Sequence, residues 1–316
     1  MKSDLIRSSN IIAILLTSLA IIFAISQHAF AAADKEQINL SAVATLSPAD
    51  VASGHVTVLE IDLRKLGPAA ANPKARFRQN AIALFQHPVK PSGIYCGLIG
   101  IPLSAAPENA AIKLEWTDSR GHQAASIPLR LIDGKYKSEA LKVDPRHVTP
   151  SKKNLQRVKR EKKELRSIYS SSSDTRRWFG SFKRPLASDT TSSFGTRRLF
   201  NGQHRSHHRG TDFRANVGTP VYAYNSGIVG LAQNLFYSGN IVIVDHGMGV
   251  FTNYAHLSRI QVVTGQVIAR GHQIGLSGAS GRVSGPHLHW AVKVNGVYVD
   301  PLQFLTVIAS LLGQKG

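Results

Sequence analysis

The chain has 316 residues, 43% of them apolar and 18% charged, which excludes a disordered polymer and a polytopic membrane protein and leaves room for more than one core. Its single cysteine, Cys96, excludes an intramolecular disulfide and a cysteine-based zinc cage. Lys and Arg outnumber Asp and Glu by 38 to 19, a balance that favours a polyanionic neighbour: nucleic acid, anionic lipid or an acidic wall polymer.

Lys2 and Arg7 precede an apolar run from Ile11 to Ile25, and Ala29-Phe30-Ala31 follows. Basic residues, a short apolar stretch and small residues ahead of a cut predict a secretory signal over residues 1–31, removed after Ala31. Retention as an anchor is the other reading, for which the run is short and interrupted by Thr17 and Ser18. Export demotes nucleic acid as a partner.

Short alternating segments come next. Val56, Val58, Ile61 and Leu63 read as one strand; Ile112, Leu114 and Trp116 as another; Ile127, Leu129 and Leu131 as a third, ending at the hairpin-type dipeptide Asp133-Gly134. These predict a small antiparallel β-sandwich over residues 37–148, acting in binding, spacing or regulation. Residues 151–175 read as a basic helical linker. Lys152 to Arg166 hold eight basic residues and two glutamates, with Leu155, Val158, Leu165 and Ile168 near helical spacing. The expected role is a solvated helix face, with a grip on anionic polymer as an addition. Ser170 to Ser173 read as a flexible stretch.

From residue 176 the texture changes: 19 of the 26 glycines fall in residues 176–316. Strands are expected at 221–224, 227–230, 241–244, 250–254 and 288–294. Asn295-Gly296 closes a hairpin onto 297–299, and a helix follows at 302–312. The expected fold class is mainly β, with an antiparallel C-terminal domain.

Three segments of that domain carry chemistry: His208-Arg209-Gly210-Thr211-Asp212, Tyr254-Ala255-His256-Leu257 and His287-Leu288-His289. In an extended chain, residues two or four apart project from one face, so His208 can align with Asp212 and His287 with His289. Two imidazoles and a carboxylate, with one position left to water, are the ligand set of a catalytic zinc. Imidazole also suits copper, iron or nickel; hydrolysis outside the cell favours a redox-silent ion. Spacing alone does not say which histidines bind. Gly210 allows close backbone approach or a bulge. His204 and His207 read as loop residues, and His246 as part of a turn.

Six ordered motifs then resemble one family. Phe194-Gly195-Thr196-Arg197, HRGTDF at 208–213, GTPVYA at 218–223, YAHLS at 254–258, GLSGASG at 275–281 and GPHLHW at 285–290 are similar to the lysostaphin/LytM zinc metalloendopeptidases, which cut peptide bridges in peptidoglycan. The resemblance covers Ser193 to Leu302. It implies one zinc ion per chain on His208, Asp212 and His289, with His256 and His287 as catalytic histidines that do not bind metal. His287, sharing a strand with His289, is expected to be the base, and His256 the oxyanion stabiliser. Some members carry a tyrosine about six residues before the first ligand, where Gly202 stands here.

The upstream part resembles two-domain secreted Gram-negative forms, which implies a periplasmic or cell-envelope location, peptidoglycan as partner and a D-alanyl–diaminopimelate cross-link as substrate. A glycine bridge is the other family substrate. The alternative function is a non-catalytic peptidoglycan-binding activator of other wall hydrolases, which should lack some of the five site residues. Folding back of the upstream part over the groove is a further expectation, of latency.

Overall fold

The computed structural model describes residues 40–144, 146, 149–202 and 204–314; the signal expected over residues 1–31 lies outside the described residues. Leu40–Gly316 group as one unit. Among the described residues no helix is long and apolar enough to cross a membrane.

Two sheets form in the N-terminal half, the first with its central strands buried on both faces and the second with alternating side chains. One runs Ala44–Ser47, Val56–Asp62, Ile94–Gly100, Leu84–Gln86; the other runs Asp50–Ala52, Gly121–Ile132, Glu108–Asp118, Ala71–Phe77, Asn80–Ile82. In the second sheet Ile112 lies opposite Ile127, and Ile112, Leu114, Trp116, Leu129 and Leu131 are buried on the inner face. Leu63 is not in the Val56–Asp62 strand: Asp62 caps a 3₁₀ turn that starts there. Asp133-Gly134 closes no hairpin. The Gly134 N–H is taken by Ser53 Oγ at 3.1 Å, and the chain continues to Ser138–Leu141, which pairs in parallel with Arg197–Phe200. Arg197–Phe200 pairs in turn with His204–His207. His204 and His207 therefore belong to a strand, where a loop was expected.

An eight-stranded antiparallel sheet organises the C-terminal half. Its order is Thr190–Ser192, Thr211–Arg214, His287–Val294, Val250–Leu257, Gly239–Asp245, Gly227–Leu235, Val267–Ile268, with Val297–Val299 paired to the end of His287–Val294. The period-two rule splits this sheet into two unlike faces. Phe213, Val242, Tyr254, Leu288, Trp290 and Val292 point to one side, into a core shared with Val58, Leu98 and the C-terminal helix Pro301–Leu311. That helix is capped by Asp300, which accepts from the Leu302 and Gln303 N–H groups. Its Gln303 side chain bonds both the N–H and the C=O of Val56, at 2.9 and 2.8 Å.

One end of the other face is covered by a helix. Ile241, Ile243, Phe251 and Ala255 lie on it, with Leu231 and Leu235, and Leu165, Ile168 and Tyr169 pack onto them from the basic helix Lys152–Ser170. Ser151 caps this helix, and Arg157 pairs with Glu161 one turn on. Its two acids dock it: Glu161 accepts the Phe236 N–H at 3.0 Å, and Glu164 accepts from Gln233 at 2.8 Å. Leu155 remains exposed. The serines after it are not loose. Ser172 Oγ donates to Asp245 at 3.0 Å and accepts the Gly249 N–H at 2.9 Å, while the Ser173 carbonyl takes the Met248 N–H at 2.7 Å. Hydroxyls and free backbone groups beside a carboxylate find partners, so composition alone overstates their freedom.

Candidate metal centre

The other end of the same face carries the polar cluster, with His208, Asp212 and His256 buried. Asp212 lies opposite His289 on neighbouring strands, and Ala255 lies opposite His289 on the other side. Side chains paired across strands share a face, so Asp212 and His289 meet by register. His287, two residues back on its strand, joins them. His208 approaches from the turn before Thr211–Arg214, where Gly210 makes the approach feasible. A Cβ there would stand 2.6 Å from the His289 ring. Gly210 thus serves close approach, and bulging is not what it provides.

Three atoms converge. His208 Nε2 lies 2.9 Å from Asp212 Oδ1 and 3.0 Å from His289 Nδ1, and His289 Nδ1 lies 2.7 Å from Asp212 Oδ1. A zinc ion bonded at about 2.0–2.1 Å would hold tetrahedral corners about 3.3 Å apart. The edges of the triangle, 2.7–3.0 Å, need open by about 0.3–0.6 Å, so these donors fit a tetrahedral divalent ion. His208, Asp212 and His289 also form the ligand-competent group of the described residues.

Proton positions follow from carbonyls, which can only accept. His208 Nδ1 lies 2.9 Å from Ser193 O, His256 Nδ1 lies 2.8 Å from Ser280 O, and His287 Nδ1 lies 2.8 Å from Gly285 O. Each Nδ1 therefore bears the proton and leaves Nε2 with a lone pair. His287 Nε2 is 3.7 Å from Asp212 Oδ1, and the His256 and His287 ring centroids are 4.9 Å apart. His256 holds a left-handed backbone, φ 62°, a conformation that costs energy in a residue with a Cβ and aims its ring at the cluster.

Burial sets the charge states. It disfavours a charged His256, and the His287 and His289 rings add to that, so its pKa falls well below the ordinary value. Burial also drives His289 down to about 4 against the pull of Asp212. Burial opposes ionisation of Asp212 as well, but His208 and His289 outweigh it and hold the carboxyl well below the usual range.

Asp212 keeps its second oxygen for another partner. Arg198 Nη2 donates to Asp212 Oδ2 at 2.6 Å and to Ser192 Oγ at 2.8 Å, and Arg198 Nε donates to Glu139 Oε1 at 2.6 Å. Sequence reasoning missed this pair. Glu139 lies 59 residues before Arg198, and only the parallel pairing of their strands joins them. Tyr237 and Arg282, which border the same cavity of about 730 Å³, were missed too. Gly202 lies in a turn, where a Cβ would meet no described atom within 4 Å, and the phenols that border the cavity are those of Tyr169, Tyr237 and Tyr298. His246 stands apart from the cluster. It is fully buried, its Nδ1 is 2.7 Å from Ser226 O and its Nε2 is 2.7 Å from Thr252 Oγ1. The glycines of 275–281 meet neighbouring backbone: a Cβ on Gly278 would stand 2.4 Å from Ser258 N, and one on Gly281 2.3 Å from Gly239 N. They permit close strand contact.

Four similarities to known proteins bear on this site. Residues 206–301 match the model of Peptidase family M23. Peptidoglycan DD-endopeptidase ShyA of Vibrio cholerae is 44% identical over 126 residues, 40% of this chain and 29% of that protein. DD-carboxypeptidase/endopeptidase Mpg of Neisseria meningitidis is 41% identical over 95 residues, 30% of this chain and 22% of that protein. The matched stretch is thus less than a third of either curated relative. A crystal structure of an M23-type peptidase from Pseudomonas aeruginosa aligns with a TM-score of 0.61 at 28% identity, covering 81% of this chain and 95% of that one. Its likeness extends well beyond the family segment.

Proposed function

We propose, from the match of residues 206–301 to Peptidase family M23, that the chain is an exported zinc metalloendopeptidase that hydrolyses peptide cross-links of peptidoglycan in the periplasm or cell envelope, with the D-alanyl–diaminopimelate bond as its substrate. The observation that carries this reading is the convergence of His208 Nε2, Asp212 Oδ1 and His289 Nδ1 within 3.0 Å of one another, beside two further imidazoles with bare Nε2 atoms. The names of the Vibrio and Neisseria relatives point to the same substrate class. A non-catalytic wall-binding module has no use for five such side chains gathered at one point.

His208, Asp212 and His289 would hold the ion. Bound zinc supplies Lewis-acid chemistry, bringing the pKa of water to about 7 and polarising a carbonyl. His287 takes the proton of the attacking water at Nε2 and carries it to the leaving amine. Its Nδ1–H stays fixed on Gly285, so the ring cannot turn away while charged. His256 fits a different task from the oxyanion donor expected of it. Its one N–H is committed to Ser280 and burial keeps the ring neutral, so Nε2 accepts a hydrogen bond from the attacking water and orients it. Arg198 holds Asp212 to a single-oxygen presentation from behind.

Digestion of purified peptidoglycan tests the reading. The zinc-loaded chain should release uncross-linked stem peptides from diaminopimelate-type walls, identified by mass, and His208→Ala should release none. Intact cross-links after digestion, or equal release by His208→Ala, would overturn it.

A further inference from the structure

The charges lining the cavity do not balance. Its described walls hold two carboxylates, Glu139 and Asp212, against four cations, Lys162, Arg198, Arg209 and Arg282. Arg198 engages both carboxylates, so the other three cations have no acidic partner among the described residues. Lys162 and Arg209 are exposed, and water solvates them. Arg282 is different. Its guanidinium is set against the rings of Phe200 and Tyr237, 4.2 and 4.6 Å from their centroids, and its side chain makes no hydrogen bond to a described residue.

That is an unusual place to leave an arginine. The side chain is half-buried, and its five N–H donors, held on a rigid plane, have no acceptor among the described residues. The two aromatic faces fix the plane of the fork and leave its edge to the cavity. Burial, with repulsion from Arg198, pulls the pKa of Arg282 below that of an ordinary arginine, although an arginine stays charged at neutral pH. An anion would relieve both effects. The backbone ties Arg282 to the segments that hold His256: Ser280 O holds the His256 ring, the Arg282 N–H donates to Tyr237 O at 2.9 Å, and the His256 N–H donates to Ser238 O at 2.9 Å, and Arg282 lines the same cavity as His256, His287 and His289.

We propose that Arg282 anchors a carboxylate-binding subsite, which takes the free carboxylate on the amine side of the scissile bond. The inference rests on the peptidoglycan reading above and sharpens it. In a D-alanyl–diaminopimelate cross-link, the carbon bonded to the scissile nitrogen carries a free carboxylate. In a glycine bridge that carbon carries two hydrogens and a carbonyl tied into the next peptide bond, with no free carboxylate. Planar, bidentate capture of a carboxylate is what a guanidinium does best, and a partly dry wall strengthens it. The subsite therefore selects for the first bond over the second, and for a free acid over its amide.

The test uses two ligands that differ in one group: a diaminopimelate-containing stem tripeptide with that carboxylate free, and the same peptide with it amidated. Calorimetry on the zinc-loaded full chain should show the acid binding about 10- to 100-fold more tightly, the range of a charge-assisted hydrogen bond. Arg282→Gln should close the gap, and Arg282→Lys, which keeps the charge without the fork, should retain part of it. The matching cross-linked dimers should show the same preference, carried mainly in KM. Equal binding of acid and amide by the unaltered chain would overturn the subsite, as would an undiminished preference in Arg282→Gln. Selective binding without hydrolysis of either dimer would instead sink the hydrolase reading and leave the subsite standing. Hydrolysis without selectivity would do the reverse.

Discussion

His246 and His256 begin alike and end differently. Both are buried on the C-terminal sheet, both give Nδ1–H to a backbone carbonyl, and burial holds both neutral. His246 then finishes its bonding at Thr252 Oγ1. The Nε2 of His256 borders the cavity with no partner among the described residues. The lesson is that burial and a fixed tautomer do not separate a structural histidine from a reactive one. What separates them is whether the second nitrogen is spent.

Three measurements press on that difference, the largest effect first. His256→Ala should lower turnover of cross-linked peptide by about 10²–10⁴, the usual worth of a positioned acid–base group, whereas His246→Gln should act on stability. A small rate loss in His256→Ala would erase the contrast. The second concerns pH. Burial depresses His246 to about 4 in the folded chain from an ordinary 6.5 when unfolded. The unfolded chain thus binds the extra proton first as pH falls. The stabilisation is complete above pH 6.5 and is lost between 6.5 and 4, at about 3 kcal/mol. Urea unfolding across that window should show His246→Gln losing less stability than the unaltered chain by about that amount. Parallel curves would mean that His246 is not held neutral.

The third measurement sharpens the reactive side. Asp212 presents Oδ1 to the cluster because Arg198 holds Oδ2, and Glu139 offsets the charge of Arg198 so that it does not repel a metal. Arg198→Ala should weaken zinc affinity by about 10- to 100-fold in a chelator competition, typical for a group behind a ligand. Glu139→Gln should weaken it less, and not at all in the Arg198→Ala background, since Glu139 acts through Arg198. Unchanged affinity in Arg198→Ala would show that the strand register alone orients Asp212.

What could be read beforehand divides along similar lines. His287 and His289 two apart on a strand advertise a shared face through the period of an extended chain, whereas His208, four before Asp212, comes from the turn ahead of the strand and meets it through the close approach at Gly210. Their order in the motifs did the rest. The mainly β class was legible for the same reason, since alternation is local. Contacts between distant segments were not. Nothing near Glu139 announces that Ser138–Leu141 will lie along Arg197–Phe200, which is why Asp133-Gly134 looked like a hairpin turn. Arg282 follows the glycine motif without any local sign that Phe200 and Tyr237 will flank it. The basic helix showed its apolar spacing, yet the strand it docks against is set by Glu161 and Glu164, two acids in a run dominated by lysine and arginine.

The account turns on a division of labour among five side chains, and metal content measures it directly. Elemental analysis should find about one zinc ion per chain in the unaltered protein and in His256→Ala and His287→Ala, and essentially none in His208→Ala. Loss of zinc from His256→Ala or His287→Ala, or full retention in His208→Ala, would contradict it.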